Sequence, residues 1–539
     1  MRTTSQARID SLTAAGLWSG DTLHGLLERH AAQRPDQLAV RDQPNRLELT
    51  GDAPLSLSWS GLHAASLALA GQLHAAGIRR DHTVLVQLPN IAELVVVYYA
   101  LSRLGAIVSP VPVQYGAHEL QLVESELDTR HVISLPRLRD TAPADAVSAA
   151  LPDAQVLVLG RDLQLEATSD AGLPAPADDP DAILSICWTS GTTGTPKGVP
   201  RSHNMWVATG HTSIAAGAMR ADDVLLNPFP LVNMAGLGGF LFPAALLGAA
   251  LVLHHPLDPP LFLAQLQDER ITFTIAPPPL LNQLARAPAM WQQFDFSALR
   301  RIGSGSAPLA PDMIATFRDD YGKEVVNFYG SNEGISLFST PEDAPDPEVR
   351  ATMFRIPEPG ALIETRLADA DSGAAVAAEG QAAELLIRGA TVFDGYLHHD
   401  SGDVFSADGY FRTGDLVEIC GDGRFYRIVG RCKDIINRGG MKISPAELDV
   451  ALELHPALLE AAVCAYPDER LGEKVCACVV PAGDAQPPTL DALREFLAER
   501  GFASFKLPER LEVFERLPRN PLGKVQRFAL QEALSLTRE

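Results

Sequence analysis

The sequence predicts an α/β protein with a large N-terminal domain and a small α+β domain at its C-terminus. Three observations lead there. The chain has 539 residues, too many for one hydrophobic core, so two or more domains are expected. Apolar strand-like runs alternate with helix-period segments through most of the chain, the mark of βαβ units. Near Gly430 the pattern breaks, and residues 433–539 carry their own set of helix and strand signals.

In chain order, "TVLVQLP" (83–89) reads as a strand and "NIAELVVVYYALSRLG" (90–105) as the helix after it. "AIVSPVP" (106–112), "HVISL" (131–135) and "QVLVLG" (155–160) supply further strands of a parallel sheet. "EATSDAGLPAPADDPD" (166–181) is polar and Pro-rich, hence a surface connection. "AILSICWTSG" then reads as a buried strand that delivers the next loop to a sheet edge, where α/β folds place ligands. Met234–Leu253 is uncharged over 20 residues and by length could span a bilayer. It holds four glycines and Pro243, lacks Lys or Arg flanks and ends in the β-rich "ALVLHH". A buried helix running into a buried strand is expected, with no membrane insertion.

Toward the C-terminus, "GDGRFYRIVG" (421–430) has the look of a β-hairpin with a Gly-bearing turn. "SPAELDVALELHP" (444–456) predicts a helix with Ser444 as N-cap and Glu447 completing a capping box. "AAVCAYP" (461–467) and "KVCACVVP" (474–481) read as strands, and "TLDALREFLAERG" (489–501) as an amphipathic helix closed by Gly501. No internal repeat is visible.

Composition narrows the class. Apolar residues make up 46% and aromatics 6%, which fits a globular enzyme, and a formal charge of −23 argues against nucleic acid or an anionic membrane as main partner. The six cysteines form no CxxC pair, so zinc or dithiol chemistry is not expected. Cys476 and Cys478 have the spacing of one strand face and read as core thiols, which suits a reducing cytoplasm. "MRTTSQARID" has no apolar signal-peptide core.

The chemistry starts at "TSGTTGTPKG" (189–198), rich in hydroxyls and glycines and nearly free of bulk. Such a loop buries little, but its N–H and O–H groups can fold around an anion such as a polyphosphate. A flexible linker is the bland alternative, and the buried strand feeding the loop speaks against it. The Walker motif is absent, since Lys197 follows Pro196. A G-x-G-x-x-G fingerprint fails at "GSGSAP" (303–308), where the last position is Pro308.

The loop resembles the signature of the adenylate-forming superfamily, which includes acyl-CoA synthetases, aryl-acid ligases, peptide-synthetase adenylation domains and luciferases. The other motifs of that family occur in order: "FYGSNEG" (328–334), "YFRTGDL" (410–416), "GRCKDIINRGG" (430–440) and "NPLGKVQR" (520–527). The resemblance implies packed mixed β-sheets with flanking helices and a distorted β-barrel over residues 1–432. It also implies a mobile lid, residues 433–539, carrying a catalytic lysine.

It implies roles as well. Thr189, Ser190, Gly191, Thr192, Thr193 and Gly194 would cradle the β- and γ-phosphates, with Lys197 as a nearby cation. Glu333 resembles the magnesium ligand, a hard oxygen donor. In the same strand and turn lie Phe328, Tyr329, whose ring would face adenine, Gly330 and Ser331. Asn332 stands where the family usually has Thr. "SGSAPL" (304–309) resembles the segment bordering adenine, with Gly305 and Ser306. Asp415 would accept both ribose hydroxyls, although an Asp here could also be a plain turn cap. Arg431 looks like a second ribose contact. Lys524, by itself an ordinary surface lysine, resembles the residue that reaches carboxylate and α-phosphate as negative charge builds. Lys433 matches the hinge and would also touch the adenylate, and Gly439 and Gly440 match the segment presented to pantetheine.

The resemblance reaches furthest toward the 2,3-dihydroxybenzoate-activating aryl-acid ligases, through "VLVQLPNIAELVVVYYALSRLGA", "KDIINRGGMKISPAELD" and "FKLPERLEVFERLPRNPLGKV". Asn233 sits where those enzymes hold an Asn against the benzoate carboxylate, though it could instead cap a buried helix. Val232 replaces their His and Gly238 their pocket serine, so a less polar pocket for a less hydroxylated aryl acid or another compact apolar acid is expected. The implied activity is formation of acyl-AMP from ATP with Mg²⁺, then transfer to the thiol of CoA or of a carrier-protein phosphopantetheine, with siderophore or secondary-metabolite assembly as the setting. A catabolic ligase using free CoA, a luciferase-like oxygenase and a non-catalytic nucleotide-binding interaction protein are the alternatives.

Overall fold

The computed structural model describes residues 1–166, 172–189, 196–305, 308–370, 372–398, 402, 404–483, 486–519 and 525–536. Its contacts divide the chain into two compact units, Met1–Glu364 with Ile387–Phe411, and Thr365–Leu386 with Arg412–Glu539. Contacts thus group 365–386 and 412–432 with the C-terminal segment.

The first unit is built on two sheets. One orders its strands Gln155–Val158, His131–Ser134, Thr83–Val86, Ile107–Pro110, Ile183–Thr189 and Lys197–Ser202. All neighbours are parallel except the last, which returns antiparallel to Ile183–Thr189. The other is eight-stranded, parallel inside, with antiparallel strands Ser336–Ser339 and Ser56–Ser58 at its edges. Parallel strands buried on both faces read as unbroken apolar runs, as "ILSIC" and "TVLV" do.

Helix Ala92–Leu104 touches a strand of each sheet. It is buried on nearly every side, including Tyr98 and Tyr99, so its apolar surface has no solvent stripe. Tyr98 satisfies its hydroxyl by donating to the Leu231 carbonyl at 2.6 Å.

The uncharged stretch from Met234 forms helix Met234–Gly236, a π-helical turn Leu237–Leu241, helix Phe242–Leu247 and strand Ala250–Leu253. It is buried, as expected, and no described helix is long and apolar enough to cross a membrane. The π turn was not foreseen; such turns are frequent beside functional sites.

In the second unit, strands Phe411–Cys420 and Phe425–Arg431 pair antiparallel with Asp415 opposite Arg431. The turn between them runs through Gly421, Asp422 and Gly423, all at positive φ. A separate five-stranded sheet is centred on Leu458–Asp468 and Gly472–Pro481. Alternate residues go to opposite faces. Val463, Val475, Ala477 and Val479 pack with Leu448, Leu452, Leu493 and Leu497. Cys464, Cys476 and Cys478 pack with Leu517, Leu530 and Leu534 of the other face as core thiols. One local expectation fails. Ser444 precedes helix Pro445–Glu453 but makes no side-chain cap, and the Glu447 carboxylate expected to complete the box pairs with Lys506 Nζ at 2.8 Å.

Candidate active site

Strand Ile183–Thr189 runs out and Lys197–Ser202 runs back, with Thr189 opposite Lys197 at the base of the hairpin. Thr189 Oγ1 donates to the Lys197 carbonyl at 3.5 Å. Ser190, Gly191, Thr192, Thr193 and Gly194, expected to cradle phosphate, lie outside the described residues, as do Ser306 and Lys524.

Around that hairpin base the first unit gathers charges from distant parts of the chain. Lys197 Nζ lies 4.9 Å from the centre of the Tyr396 ring. The Tyr396 hydroxyl donates to Glu333 Oε1 at 2.8 Å. Glu333 is 9% exposed, so the phenol compensates part of the desolvation its carboxylate suffers. The segment bearing Tyr396 is tied on both sides: Phe393 N–H donates to the Glu333 carbonyl at 3.0 Å and Leu397 N–H to the Gly198 carbonyl at 2.9 Å.

Asn332 has a structural task. Its Oδ1 accepts from Met234 N–H at 2.8 Å and its Nδ2 donates to the Trp188 carbonyl at 3.2 Å. One buried amide therefore connects strand Ile183–Thr189, the turn holding Glu333 and the segment after Asn233.

Arg201 is fully buried. It donates to the Met205 carbonyl, Thr209 Oγ1 and the Thr391 carbonyl at 3.0, 2.7 and 2.6 Å, and its guanidinium lies 4.0 Å from the Trp206 ring centre. Burial pushes it down to about 9, with Glu333 acting in the other direction. Thr391 in turn donates its hydroxyl to the Gly334 carbonyl at 2.8 Å, so Arg201 braces the wall behind Glu333.

Strand Glu324–Gly330 supplies the next wall. Gly305 pairs with Phe328, and a Cβ on it would sit 2.0 Å from the Phe328 carbonyl oxygen; only glycine fits. Phe328 and Tyr329 point to opposite faces of the sheet. The Phe328 ring packs edge-on against Phe338 at 4.8 Å and near Phe273, while Tyr329 lies 5.4 Å from Phe354. Of the two expected aromatic contacts, only one ring can face a given base. Ser331 Oγ is buried with no hydrogen-bond partner among the described residues. That orphaned hydroxyl suits a polar ligand at this turn. Among the described residues no group of three or more His, Cys, Asp or Glu could hold a metal. A cation at Glu333 would need its other ligands from phosphate and water, the habit of Mg²⁺.

On the acid side, Asn233 caps helix Met234–Gly236, its Oδ1 accepting from Ala235 and Gly236 N–H. The capping alternative is thus realised, and the amide NH₂ is the end available to a substrate. A Cβ at Gly238 would lie 2.6 Å from Thr209 Cγ2 and 3.0 Å from Met234 Sδ, so glycine is needed there for packing.

In the second unit, Arg431 Nε is 2.8 Å from Asp415 Oδ1. The Asp415 N–H donates to Thr413 Oγ1 at 3.0 Å and Arg431 to the Thr413 carbonyl at 3.3 Å. Lys433 is exposed in the connection to strand Ile436–Arg438. Gly439 and Gly440 form the exposed turn after that strand, with φ of 58° and 91°. Arg519 and Val525, the described residues on either side of 520–524, form an isolated antiparallel bridge. Just beyond it, Arg527 pairs with Asp449 and donates to the Val463 carbonyl at 3.1 Å.

Sequence reasoning missed Tyr396, Arg201 and the linking role of Asn332. Tyr396 and Arg201 lie outside the quoted motifs, and the two partners of Asn332 are 98 and 144 positions away.

Comparison with known proteins agrees with this arrangement. The family described as AMP-binding enzyme matches residues 27–397, and its C-terminal domain matches residues 447–524. The chain is 33% identical to a salicyl-AMP ligase / salicyl-S-ArCP synthetase of Mycobacterium tuberculosis (strain ATCC 25618 / H37Rv), covering 98% of this chain and 94% of that protein. It is 30% identical to a medium-chain fatty-acid–CoA ligase of Escherichia coli (strain K12), over 96% of this chain and 91% of that one. The crystal structure of ATP-bound MatB from Rhodopseudomonas palustris superposes with a TM-score of 0.82 at 26% identity, over 96% of this chain and 100% of that one.

Proposed function

The chain belongs to the AMP-binding enzyme family, and from that membership we propose that it activates an aryl or compact apolar acid as acyl-AMP and passes the acyl group to a pantetheine thiol. The observation that carries this reading is the chain of contacts from Thr189 through Lys197 and Tyr396 to Glu333. It surrounds the hairpin expected to hold triphosphate and adjoins, through Asn332, the segment of Asn233 expected to hold the acid.

In the first step a carboxylate oxygen attacks the α-phosphorus, the bond to the β-phosphate oxygen breaks, and pyrophosphate leaves. Lys197 and the loop from Thr189 hold the departing phosphates, and Asp415, oriented by Arg431, holds the ribose. Lys524 meets the negative charge that builds between carboxylate and α-phosphate. Mg²⁺, held by Glu333 and the phosphates, would neutralise phosphate charge. In the second step a thiolate attacks the acyl carbon and AMP leaves. Lys524 would obstruct thiol entry, so residues 433–539 swing about Lys433 between steps and present Gly439 and Gly440 to the pantetheine arm.

For the acid, the Asn233 NH₂ offers a donor to a carboxylate or an ortho oxygen. Met234 and Phe328 pack against the apolar core, and no serine stands at Gly238. A monohydroxylated or unhydroxylated aryl acid suits this better than a catechol acid, whose second buried hydroxyl would go unpaired at about 1–3 kcal/mol. The salicyl-activating relative supports a carrier protein as acceptor, and the fatty-acid–CoA ligase relative supports free CoA. Pyrophosphate exchange across a panel of aryl and short aliphatic acids identifies the acid. AMP release with CoA against release with a purified aryl carrier protein identifies the acceptor. Exchange with none of the acids would count against the reading.

A further inference from the structure

Tyr396 touches both charged groups of the phosphate side at once. Its ring face lies under the Lys197 ammonium and its hydroxyl donates to Glu333 Oε1. Among the described residues no ion pair joins Lys197 to Glu333 directly. We propose that Tyr396 is a positioning residue that holds the metal-binding carboxylate and the phosphate-binding ammonium apart and oriented before nucleotide arrives. This rests on the adenylation reading above.

The physical argument starts from what the two charges would otherwise do. A lysine and a glutamate on neighbouring walls of a half-buried site attract strongly. A direct pair would leave neither free for phosphate or metal. The phenol separates them while satisfying each: the ring's negative face attracts the ammonium, and the hydroxyl gives the carboxylate a charge-assisted hydrogen bond. Oε1 alone is engaged by that bond, so the carboxylate is held in one orientation without being neutralised.

The ring itself is held in place. Phe393 packs edge-on against it with centroids 4.9 Å apart. Leu397, the next residue, is buried and bonded to Gly198. Upstream, Asp394 is pinned by Thr4 Oγ1 at 2.5 Å and by Arg8, and Thr391 by Arg201. A surface tyrosine would need none of these ties. Hydrogen bonds that orient a metal-ligating carboxylate typically matter 10- to 100-fold, roughly, for metal affinity.

The test is equilibrium binding of ATP by the full chain, measured calorimetrically with MgCl₂ and with EDTA, for wild type, Tyr396→Phe and Tyr396→Leu. Tyr396→Phe keeps the platform for Lys197 and loses the hydroxyl. It is expected to need about tenfold more Mg²⁺ for half-maximal enhancement of ATP binding, with ATP affinity in EDTA unchanged. Tyr396→Leu also releases Lys197 and is expected to weaken binding in EDTA several-fold. A Tyr396→Phe variant with wild-type Mg²⁺ dependence overturns the proposal. So does a loss of ATP and Mg²⁺ response that merely tracks a lowered melting temperature in both variants, which would make Tyr396 a packing residue. Wild-type protein that binds no ATP in either condition overturns the adenylation reading itself.

Discussion

Arg431 places its Nε 2.8 Å from Asp415 Oδ1, across a strand pair that sets the two residues opposite each other. The carboxylate proposed to hold ribose therefore has its orientation fixed before any nucleotide binds. Asp415 has 12% of its side chain exposed and Arg431 55%. Arg431 can lose its partner to water at little cost, while Asp415 sits largely buried beside it. Asp415→Ala is expected to raise the KM for ATP about 10- to 100-fold, the worth of hydrogen bonds to a charged group, with little change in melting temperature. Steady-state kinetics with ATP as the varied substrate checks this, and an unchanged KM would contradict it.

Gly305 is the second test. A Cβ there would meet the Phe328 carbonyl at 2.0 Å, backbone against backbone, so the strands must separate to admit it. Gly305→Ala is expected to lower stability by about 1–3 kcal/mol, as overpacking does, and to weaken ATP binding, because Phe328 to Ser331 move with the strand. Denaturant unfolding with calorimetric ATP titration measures both.

His203 gives a pH prediction. Its Nδ1 accepts from Leu23 N–H at 3.1 Å, and burial, helped by nearby His24, pushes the ring down to about 3. The unfolded chain binds this proton near pH 6.5. Between those values unfolding takes up a proton, so the contribution is fully present above about pH 6.5 and is lost as pH falls toward 3. In His203→Gln the unfolding free energy between pH 4 and 6 should fall less steeply by about 1.4 kcal/mol per pH unit. Parallel curves for the two proteins would refute a neutral buried ring.

On the proposed mechanism, Lys524 separates the two half-reactions. Lys524→Ala is expected to slow acyl-AMP formation by at least about a hundredfold and to leave thiolysis of supplied acyl-AMP nearly intact. Single-turnover measurements of each step decide it; equal loss in both would end the division of labour.

Much of this molecule was legible in the sequence because its informative parts are local. The buried strands appear as apolar runs, the hairpin turn at Gly421–Gly423 as glycines, and the nucleotide motifs as fixed residue types at short spacing. What escaped reading is set by tertiary contact. Tyr396 meets Glu333 across 63 positions, Asn332 meets Trp188 across 144, and Arg201 meets Thr391 across 190. A buried arginine whose acceptors are carbonyls and a hydroxyl leaves no mark in a one-dimensional pattern. The capping box at Ser444 shows the reverse: the local signal is present, but Lys506, 59 positions from Glu447, takes the carboxylate.

The central claim is that one nucleotide is held jointly by Thr189 to Lys197, Glu333 and Asp415. A crystal structure with Mg²⁺ and a non-hydrolysable ATP analogue tests it most directly. The expected map shows triphosphate against the Thr189–Lys197 loop, a metal between Glu333 and phosphate oxygens, and both ribose hydroxyls on Asp415. An empty loop, or a nucleotide that leaves either carboxylate without a contact, would contradict the account.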